Sequence, residues 1–118
     1  MFFEGKKGIL DLIEGGFISQ TMDIKVSELK QRLNKGENLN FFDVREPWEY
    51  SELNIGAQLM PLTSIPDQLI ELNSMKDQEI IVHCKTGSRS NQAKIFLKSK
   101  GFTQVRILLG GIDAFLGS

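Results

Sequence analysis

The sequence predicts an α/β domain, in which helices cover both faces of a central, mostly parallel sheet of about five strands. From residue 22 onward, short apolar runs suited to buried strands alternate with helical patterns, which is typical of such a sheet. The chain has 118 residues, enough for one hydrophobic core and too few for two. We therefore expect one domain over residues 22–118, preceded by an N-terminal extension over residues 1–21.

The first third of the sequence predicts a helix, an extended run and a second helix, in that order. Apolar residues within 9–17 favour a short amphipathic helix, which would pack on the domain surface, dock onto a partner or form a dimer. The run Met22–Val26 is predicted to be extended. Ser27 is the predicted N-cap of a helix over Glu28–Asn34, and Gly36 is suited to end it.

The middle of the chain continues the alternation. The apolar run Leu39–Val44 is suited to a buried strand. Pro47 is favourable at the first position of a short helix through Tyr50. A further strand is predicted over Ala57–Met60, and a helix over Ser64–Asn73 with its apolar residues on one face.

The last third has the clearest pattern. Glu79–His83 (EIIVH) predicts a strand, and Ser90–Lys100 predicts a helix that ends at Gly101. Val105–Leu109 is a last strand, and the glycine pair at 110 and 111 leads into a short terminal helix.

This alternation indicates where a ligand would bind. In open parallel sheets, ligands bind beyond the carboxyl ends of the strands. The rule selects the end of the first buried strand, at Asp43–Arg45, and the end of the EIIVH strand, at Cys84.

The second of these places carries a loop suited to a reactive cysteine. A short loop that enters a helix can turn successive backbone N–H groups inward, and the helix start adds a partial positive charge. Gly87 supplies conformational freedom there. Such surroundings favour the thiolate, which is the nucleophilic form of Cys84. The loop reads Cys84-Lys85-Thr86-Gly87-Ser88-Arg89-Ser90.

The loop's side chains strengthen this prediction. Lys85 and Arg89 are expected to place two cations near the sulfur. Ser88 and Ser90 can donate hydroxyl hydrogen bonds, and Ser90 is also expected to cap the helix. The sequence thus predicts an anion-binding cradle with a nucleophile at its base.

Composition and motifs argue against other classes. The net charge of −1 gives no global attraction to nucleic acid or membrane, and no run approaches the ~20 apolar residues of a membrane span. A lone cysteine forms no intramolecular disulfide and fits a cytoplasmic location. His83 and Cys84 point to opposite faces of a strand, so they are not expected to act as a catalytic pair or to bind zinc. No dinucleotide or Walker motif is present, and we expect neither metal nor organic cofactor.

From about residue 24 to residue 115 the chain resembles the rhodanese homology family. Three ordered segments carry the resemblance: the Cys-basic-x-Gly-x-Arg loop at Cys84–Arg89, the run Asp43–Tyr50 (DVREPWEY), and the closing residues from Gly101 to the glycine pair at 111. The resemblance implies the rhodanese-like three-layer fold. It also implies a sulfurtransferase that moves sulfane sulfur through a persulfide on Cys84.

The resemblance further implies substrates and supporting residues. The donor would be a small anion such as thiosulfate or a persulfide, and the acceptor a small-molecule thiol, a protein thiol or cyanide. Asp43 is expected to be a structural carboxylate that is hydrogen-bonded to the loop, and Arg45 to pair with an acidic residue near the site.

Two other function classes stay open. One is a non-catalytic or partner-dependent sulfur carrier or binding module. The other is a cysteine-based phosphatase or an arsenate reductase. Phosphatases of this kind usually have one residue more between cysteine and arginine than the four that separate Cys84 from Arg89. The shorter loop therefore favours sulfur chemistry over phosphate chemistry.

Overall fold

The computed structural model describes residues 22–118, so the helix predicted within residues 9–17 lies outside the described part. Helices and strands alternate along the described chain, as the sequence predicts. They are α1 Val26–Asn34, β1 Phe41–Asp43, α2 Pro47–Glu52, β2 Gln58–Leu59, a 3₁₀ helix Leu62–Gln68, α3 Leu69–Leu72, a 3₁₀ turn Asn73–Met75, β3 Glu79–His83, α4 Ser88–Ser99, β4 Gln104–Ile107 and α5 Gly111–Gly117.

The sheet has four parallel strands in the order β2-β1-β3-β4, not the expected five or so. The run predicted to be extended from Met22 pairs with the sheet only through a single parallel bridge between Ile24 and Leu108. It is too short for a strand because α1 already begins at Val26. The register pairs Asp43 with His83, so β1 and β3 end side by side.

Helices cover both faces of the sheet, as predicted. Along β3, Ile80 and Val82 contribute to one buried cluster and Ile81 to the other, because successive side chains of a strand point to opposite faces. The first cluster includes residues of α4 and of the segment 62–72, and the second includes residues of α1 and α5. Cys84 belongs to the first cluster.

Two helix predictions are wrong, one in its start and one in its type. Lys25 and not Ser27 is the N-cap of α1, and its side chain makes no capping hydrogen bond. The helix predicted over Ser64–Asn73 is instead mostly 3₁₀, with a short α-helical stretch from Leu69 to Leu72. Pro66 lies inside the 3₁₀ segment, where its missing N–H prevents an α-helical hydrogen bond.

Other boundaries agree more closely with the sequence. β3 has the predicted bounds, and Pro47 is the first residue of α2, whose start is stabilised by reciprocal hydrogen bonds between Glu46 and Glu49. Gly36 has φ +77° just beyond the end of α1. Within residues 22–118, no helix combines the length and the apolar character that crossing a bilayer requires.

Candidate active site

The candidate nucleophile lies at the carboxyl end of β3. The strand ends at His83 and α4 begins at Ser88, so a short loop from Cys84 to Gly87 connects them. Cys84 is only 1% exposed and lies at the base of this loop. The thiol is therefore not on an open surface, and a sulfur donor must approach it past the residues of the loop.

Backbone amides of the loop and of the first helical turn surround the sulfur. The N–H groups of Gly87 and Ser90 donate to Cys84 Sγ at 3.1 and 3.4 Å, and the amide of Arg89 also contributes. The Ser90 hydroxyl lies 3.4 Å from Sγ and 3.0 Å from the carbonyl oxygen of Gly87, so its single proton can be donated to either, and a thiolate at Cys84 favours donation to the sulfur. The sulfur thus accepts from donors that have no partner within the helix.

This arrangement corrects the predicted helix start. α4 begins at Ser88, two residues before the predicted Ser90, and its N-cap is Gly87 with φ +141°. Glycine tolerates this positive φ, which lets the chain turn its amides toward the sulfur. Ser90 therefore lies inside the first turn as a neighbour of the thiol and not at the cap.

The electrostatic balance at Cys84 favours the thiolate. Burial raises the pKa of the thiol, but the hydrogen bonds from the Ser90 hydroxyl and from the loop amides lower it, and the net pKa lies below the ordinary value. Hydrogen bonds to the charged form of a group stabilise that form. The same donors can stabilise a persulfide anion.

Both loop cations have acidic partners, and the charge of Cys84 still contributes to the raised pKa of Arg89. The guanidinium of Arg89 forms a two-pronged ion pair with Glu49 of α2. The ammonium of Lys85 lies 2.8 Å from a carboxylate oxygen of Asp113 in α5. Neighbouring acidic side chains thus compensate both charges, and hydrogen-bond donors are the principal stabilisation of the thiolate.

Helix α5 holds the start of the loop through its backbone. The amides of Ile112 and Asp113 donate to the carbonyl oxygens of Cys84 and Lys85, at 2.9 and 3.2 Å. A Cβ on Gly111 would lie 2.3 Å from the Lys85 oxygen. Only glycine fits where the terminal helix approaches the active loop so closely.

Asp43 and Arg45 form a buried pair at the end of β1. Both oxygens of Asp43 accept hydrogen bonds from Arg45, including one from the Arg45 amide. Arg45 also donates to the carbonyl oxygen of Leu53 at 2.7 Å, which ties β1 to the end of α2. The prediction that Arg45 pairs with an acidic residue is confirmed. The prediction that Asp43 bonds to the loop is wrong, because its buried charge is matched by Arg45.

His83 is fully buried beneath the loop. Its Nδ1 lies 3.2 Å from the carbonyl oxygen of Cys84, while Nε2 lies 3.5 Å from a carboxylate oxygen of Asp43 and makes no hydrogen bond within residues 22–118. Burial lowers the pKa of His83, although the Asp43 charge opposes this, so the imidazole is held neutral. It contacts the backbone of the cysteine and is placed to position it.

The remaining loop residues, Thr86 and Ser88, are exposed at the surface. The structure thus brings the predicted loop together around Cys84, while the chemical roles of its residues stay predictions. Sequence reasoning missed Glu49 and Asp113, the partners of the two cations. Their position in the first turns of α2 and α5 was the available signal, because both helices begin close to the carboxyl edge of the sheet.

A groove of about 240 Å³ borders this site. It lies between α2 and α5, and Lys85 brings the loop to its wall. A larger cavity of about 390 Å³, lined by residues such as Glu37 and Asn40, lies at the opposite end of the strands, away from Cys84. The groove is therefore the cavity relevant to chemistry at the loop.

Comparison with known proteins agrees with this geometry. The rhodanese-like domain family matches residues 25–118. The chain is 34% identical over 94 residues to a sulfurtransferase of Allochromatium vinosum, covering 79% of this chain and 86% of that protein. It is 33% identical to YrkF of Bacillus subtilis, which is named as a candidate sulfur carrier protein. That match covers 84% of this chain but only 53% of YrkF. The crystal structure of a rhodanese-like domain protein from Staphylococcus aureus has a TM-score of 0.71 and 29% identity, over 80% of this chain and 90% of that one.

Proposed function

We propose, from the premise that this chain belongs to the rhodanese-like domain family, that it is a sulfurtransferase with Cys84 as the sulfur-carrying nucleophile. The observation that carries the proposal is the ring of donors around Sγ: the amides of Gly87 and Ser90 and the Ser90 hydroxyl. This ring stabilises a negatively charged sulfur in a buried position. The likeness to the sulfurtransferase of Allochromatium vinosum, which the chain matches over most of its length, supports the proposal.

The first half-reaction loads the cysteine. The Cys84 thiolate attacks the sulfane sulfur of a donor, either thiosulfate or a persulfide. A bond forms between Sγ and that sulfur, and the sulfur–sulfur bond within the donor breaks. The leaving group, sulfite or a thiolate, takes the electron pair, so no external oxidant or reductant is needed.

The second half-reaction unloads it. A thiolate acceptor, or cyanide in an assay, attacks the outer sulfur of the persulfide, and the electron pair of the broken bond restores the Cys84 thiolate. The loop amides stabilise the sulfur anion before and after each step, because they are fixed by the start of α4. No proton transfer by His83 is required, and its ring is directed to the backbone of Cys84 rather than to Sγ.

A partner-dependent sulfur carrier is the second candidate. The observation that favours it is the compensation of Arg89 by Glu49 and of Lys85 by Asp113, which weakens the attraction for a free dianion. The likeness to YrkF supports this alternative. In such a carrier the same persulfide forms, but turnover of thiosulfate is slow.

Intact-mass spectrometry of the protein before and after treatment with thiosulfate, without reductant, tests the proposal. We expect the gain of one sulfur atom, its absence in Cys84→Ser, and its removal by cyanide. A matched variant, Ser88→Ala, changes an exposed loop hydroxyl and should still load. If neither thiosulfate nor a polysulfide adds sulfur to the folded protein, the proposal of a sulfurtransferase acting on free donors is overturned in favour of a carrier that a protein partner loads.

A further inference from the structure

We propose that the groove between α2 and α5 docks a protein partner whose sulfur-exchanging cysteine lies beside apolar and basic side chains. The inference rests on the proposed function, because it names the class of thiol that exchanges sulfur with Cys84. It concerns residues that the loop chemistry does not use: Trp48, Glu52, Leu53 and Leu116.

The groove is placed to bring a partner to the cysteine. Lys85, the residue after Cys84, lies on its wall, and so does Ile112, whose amide donates to the Cys84 carbonyl oxygen. Glu49, which binds Arg89 of the loop, lines it as well. A chain seated here would therefore pass directly beside the start of the active loop.

The size of the groove fits a few side chains better than a drug-sized molecule. Its volume of about 240 Å³ is below the range of roughly 300–1,000 Å³ for pockets that enclose drug-sized ligands. Cys84 itself is 1% exposed. An incoming sulfur must consequently be aimed at the loop, and a surface that holds the flanking residues of a partner cysteine would supply that orientation.

Large apolar side chains surround this groove and face solvent. Trp48 is 63% exposed, and Leu53 and Leu116 are each 51% exposed. Exposed apolar side chains that gather at one place mark interaction sites, and tryptophan is enriched among residues that dominate binding energy. This part of the surface therefore fits an apolar side chain of a partner.

The charges of the groove select a basic partner. Its two cations are compensated, since Lys85 pairs with Asp113 and Arg45 with Asp43. Glu52 lines the groove, is exposed, and pairs with no cation within residues 22–118. The surplus charge is thus negative, which attracts a lysine or arginine of a partner and repels a free anion.

The exchange itself needs no further reactant. The thiolate of the partner cysteine attacks the outer sulfur of the Cys84 persulfide, and a new sulfur–sulfur bond forms. The bond between Sγ and the outer sulfur breaks, and its electron pair stays on Cys84 as thiolate. The partner leaves as a persulfide, and the reverse step would load Cys84.

Two synthetic peptides of equal length test the proposal, each with one cysteine. In one the cysteine is flanked by leucine and lysine, and in the other by leucine and glutamate. The full chain is loaded with sulfur from thiosulfate or polysulfide, and loading is verified by intact mass. Single-turnover transfer is then measured to each peptide and to dithiothreitol, a small uncharged thiol.

We expect the basic peptide to react about tenfold faster than the acidic one at low salt. Glu52→Lys should reverse this preference, and Leu116→Ser should slow transfer to both peptides while transfer to dithiothreitol is unchanged. Glu71→Lys, a matched exchange of an exposed glutamate on α3 that does not line the groove, should keep the preference.

The outcomes separate the two proposals. Equal rates for both peptides, with normal transfer to dithiothreitol, would overturn the docking site and leave sulfur transfer intact. A preference that survives Glu52→Lys would also overturn it. A protein that cannot be loaded, or that loads without passing sulfur to any thiol, would contradict the proposed function itself.

Discussion

Both carboxylate oxygens of Glu49 accept hydrogen bonds from the guanidinium of Arg89, with nitrogen–oxygen distances of 2.5 and 3.1 Å. The ion pair joins α2 to the active loop and compensates the charge of the loop's arginine. It lowers the pKa of Glu49 to about 2, so the pair persists throughout the neutral and mildly acidic range. The charge that an anionic donor would meet at the loop is therefore set by Glu49 as much as by Arg89.

Replacing Glu49 by glutamine should make the site more receptive to thiosulfate. The amide keeps the shape of the side chain and can still accept from the Glu46 amide, but the negative charge is lost and the charge of Arg89 is no longer compensated. We expect the second-order rate of persulfide formation from thiosulfate to rise about three- to tenfold at low salt.

Stopped-flow or quenched mass measurements would give this rate. Glu71→Gln, which removes an exposed charge of α3, serves as the control and should leave the rate near that of the parent. The gain should shrink with added salt, because exposed charges are screened. An unchanged rate in Glu49→Gln at low salt would show that the ion pair does not limit anion entry.

The hydroxyl of Ser90 should tune the reactivity of Cys84. It is the nearest side-chain donor to Sγ, at 3.4 Å, and it lowers the pKa of the thiol together with the loop amides. Ser90→Ala should raise the midpoint of the pH dependence of alkylation by iodoacetamide. It should also slow persulfide formation several-fold at neutral pH, since less thiolate is present.

Ser88→Ala is the matched control, because that hydroxyl is exposed on the same loop. Its alkylation midpoint should equal that of the parent protein. A midpoint in Ser90→Ala that is equal to or lower than that of the parent would mean that the amides alone set the acidity of Cys84.

The close approach of α5 to the loop should make Gly111 intolerant of a side chain. An alanine there would place Cβ 2.3 Å from the carbonyl oxygen of Lys85 and 2.6 Å from that of Cys84, at a φ of +63°. We expect Gly111→Ala to lower the free energy of unfolding by about 3 kcal/mol, from backbone strain and overpacking together. Any folded fraction should transfer sulfur slowly, because the loop must shift.

The variant Gly36→Ala separates the contribution of backbone strain from that of the steric clash. Gly36 also has a positive φ, +77°, but no atom of the described part of the chain lies within 4 Å of a Cβ built on it. Urea unfolding should show a loss of roughly 1 kcal/mol, from strain alone. Equal losses in the two variants would argue against a steric clash at the loop.

The sequence predicts those features of the site that arise from residues close together in the chain. The parallel order of β1 and β3, and thus the nearness of Asp43 to the active loop, follows from the alternation of helices and strands. The cradle around Cys84 follows from a glycine-containing loop at a helix start. These features are local, so periodicity and turn chemistry reveal them.

The partners of the loop cations were not predictable in the same way. The pairing of Arg89 with Glu49 joins residues 40 positions apart and depends on where α2 packs against the loop. Asp43 was expected to bond to the loop, but Arg45, two residues later, turns back to its carboxylate. Charge patterns name the candidates for ion pairs, and only packing decides between them.

The buried imidazole of His83 should make the protein less stable in mild acid. Burial lowers the pKa of this group in the folded state, so the unfolded chain binds a proton at about pH 6.5 while the folded chain does not. Stability is therefore full above that pH and declines as the pH falls below it, by up to about 1.4 kcal/mol per pH unit.

Urea unfolding at pH 7.5, 6.5 and 5.5 would measure this effect, and the chain is well suited to it because His83 is its only histidine. His83→Asn should be less stable at pH 7.5, since the packed ring is lost, but it should lose most of the decline between pH 6.5 and 5.5. The carboxylates with lowered pKa values, such as Glu49, titrate at still lower pH and do not interfere. If parent and variant decline in parallel, protonation of His83 is not the source, and the ring beneath Cys84 would have to accept a proton as readily in the folded state as in the unfolded one.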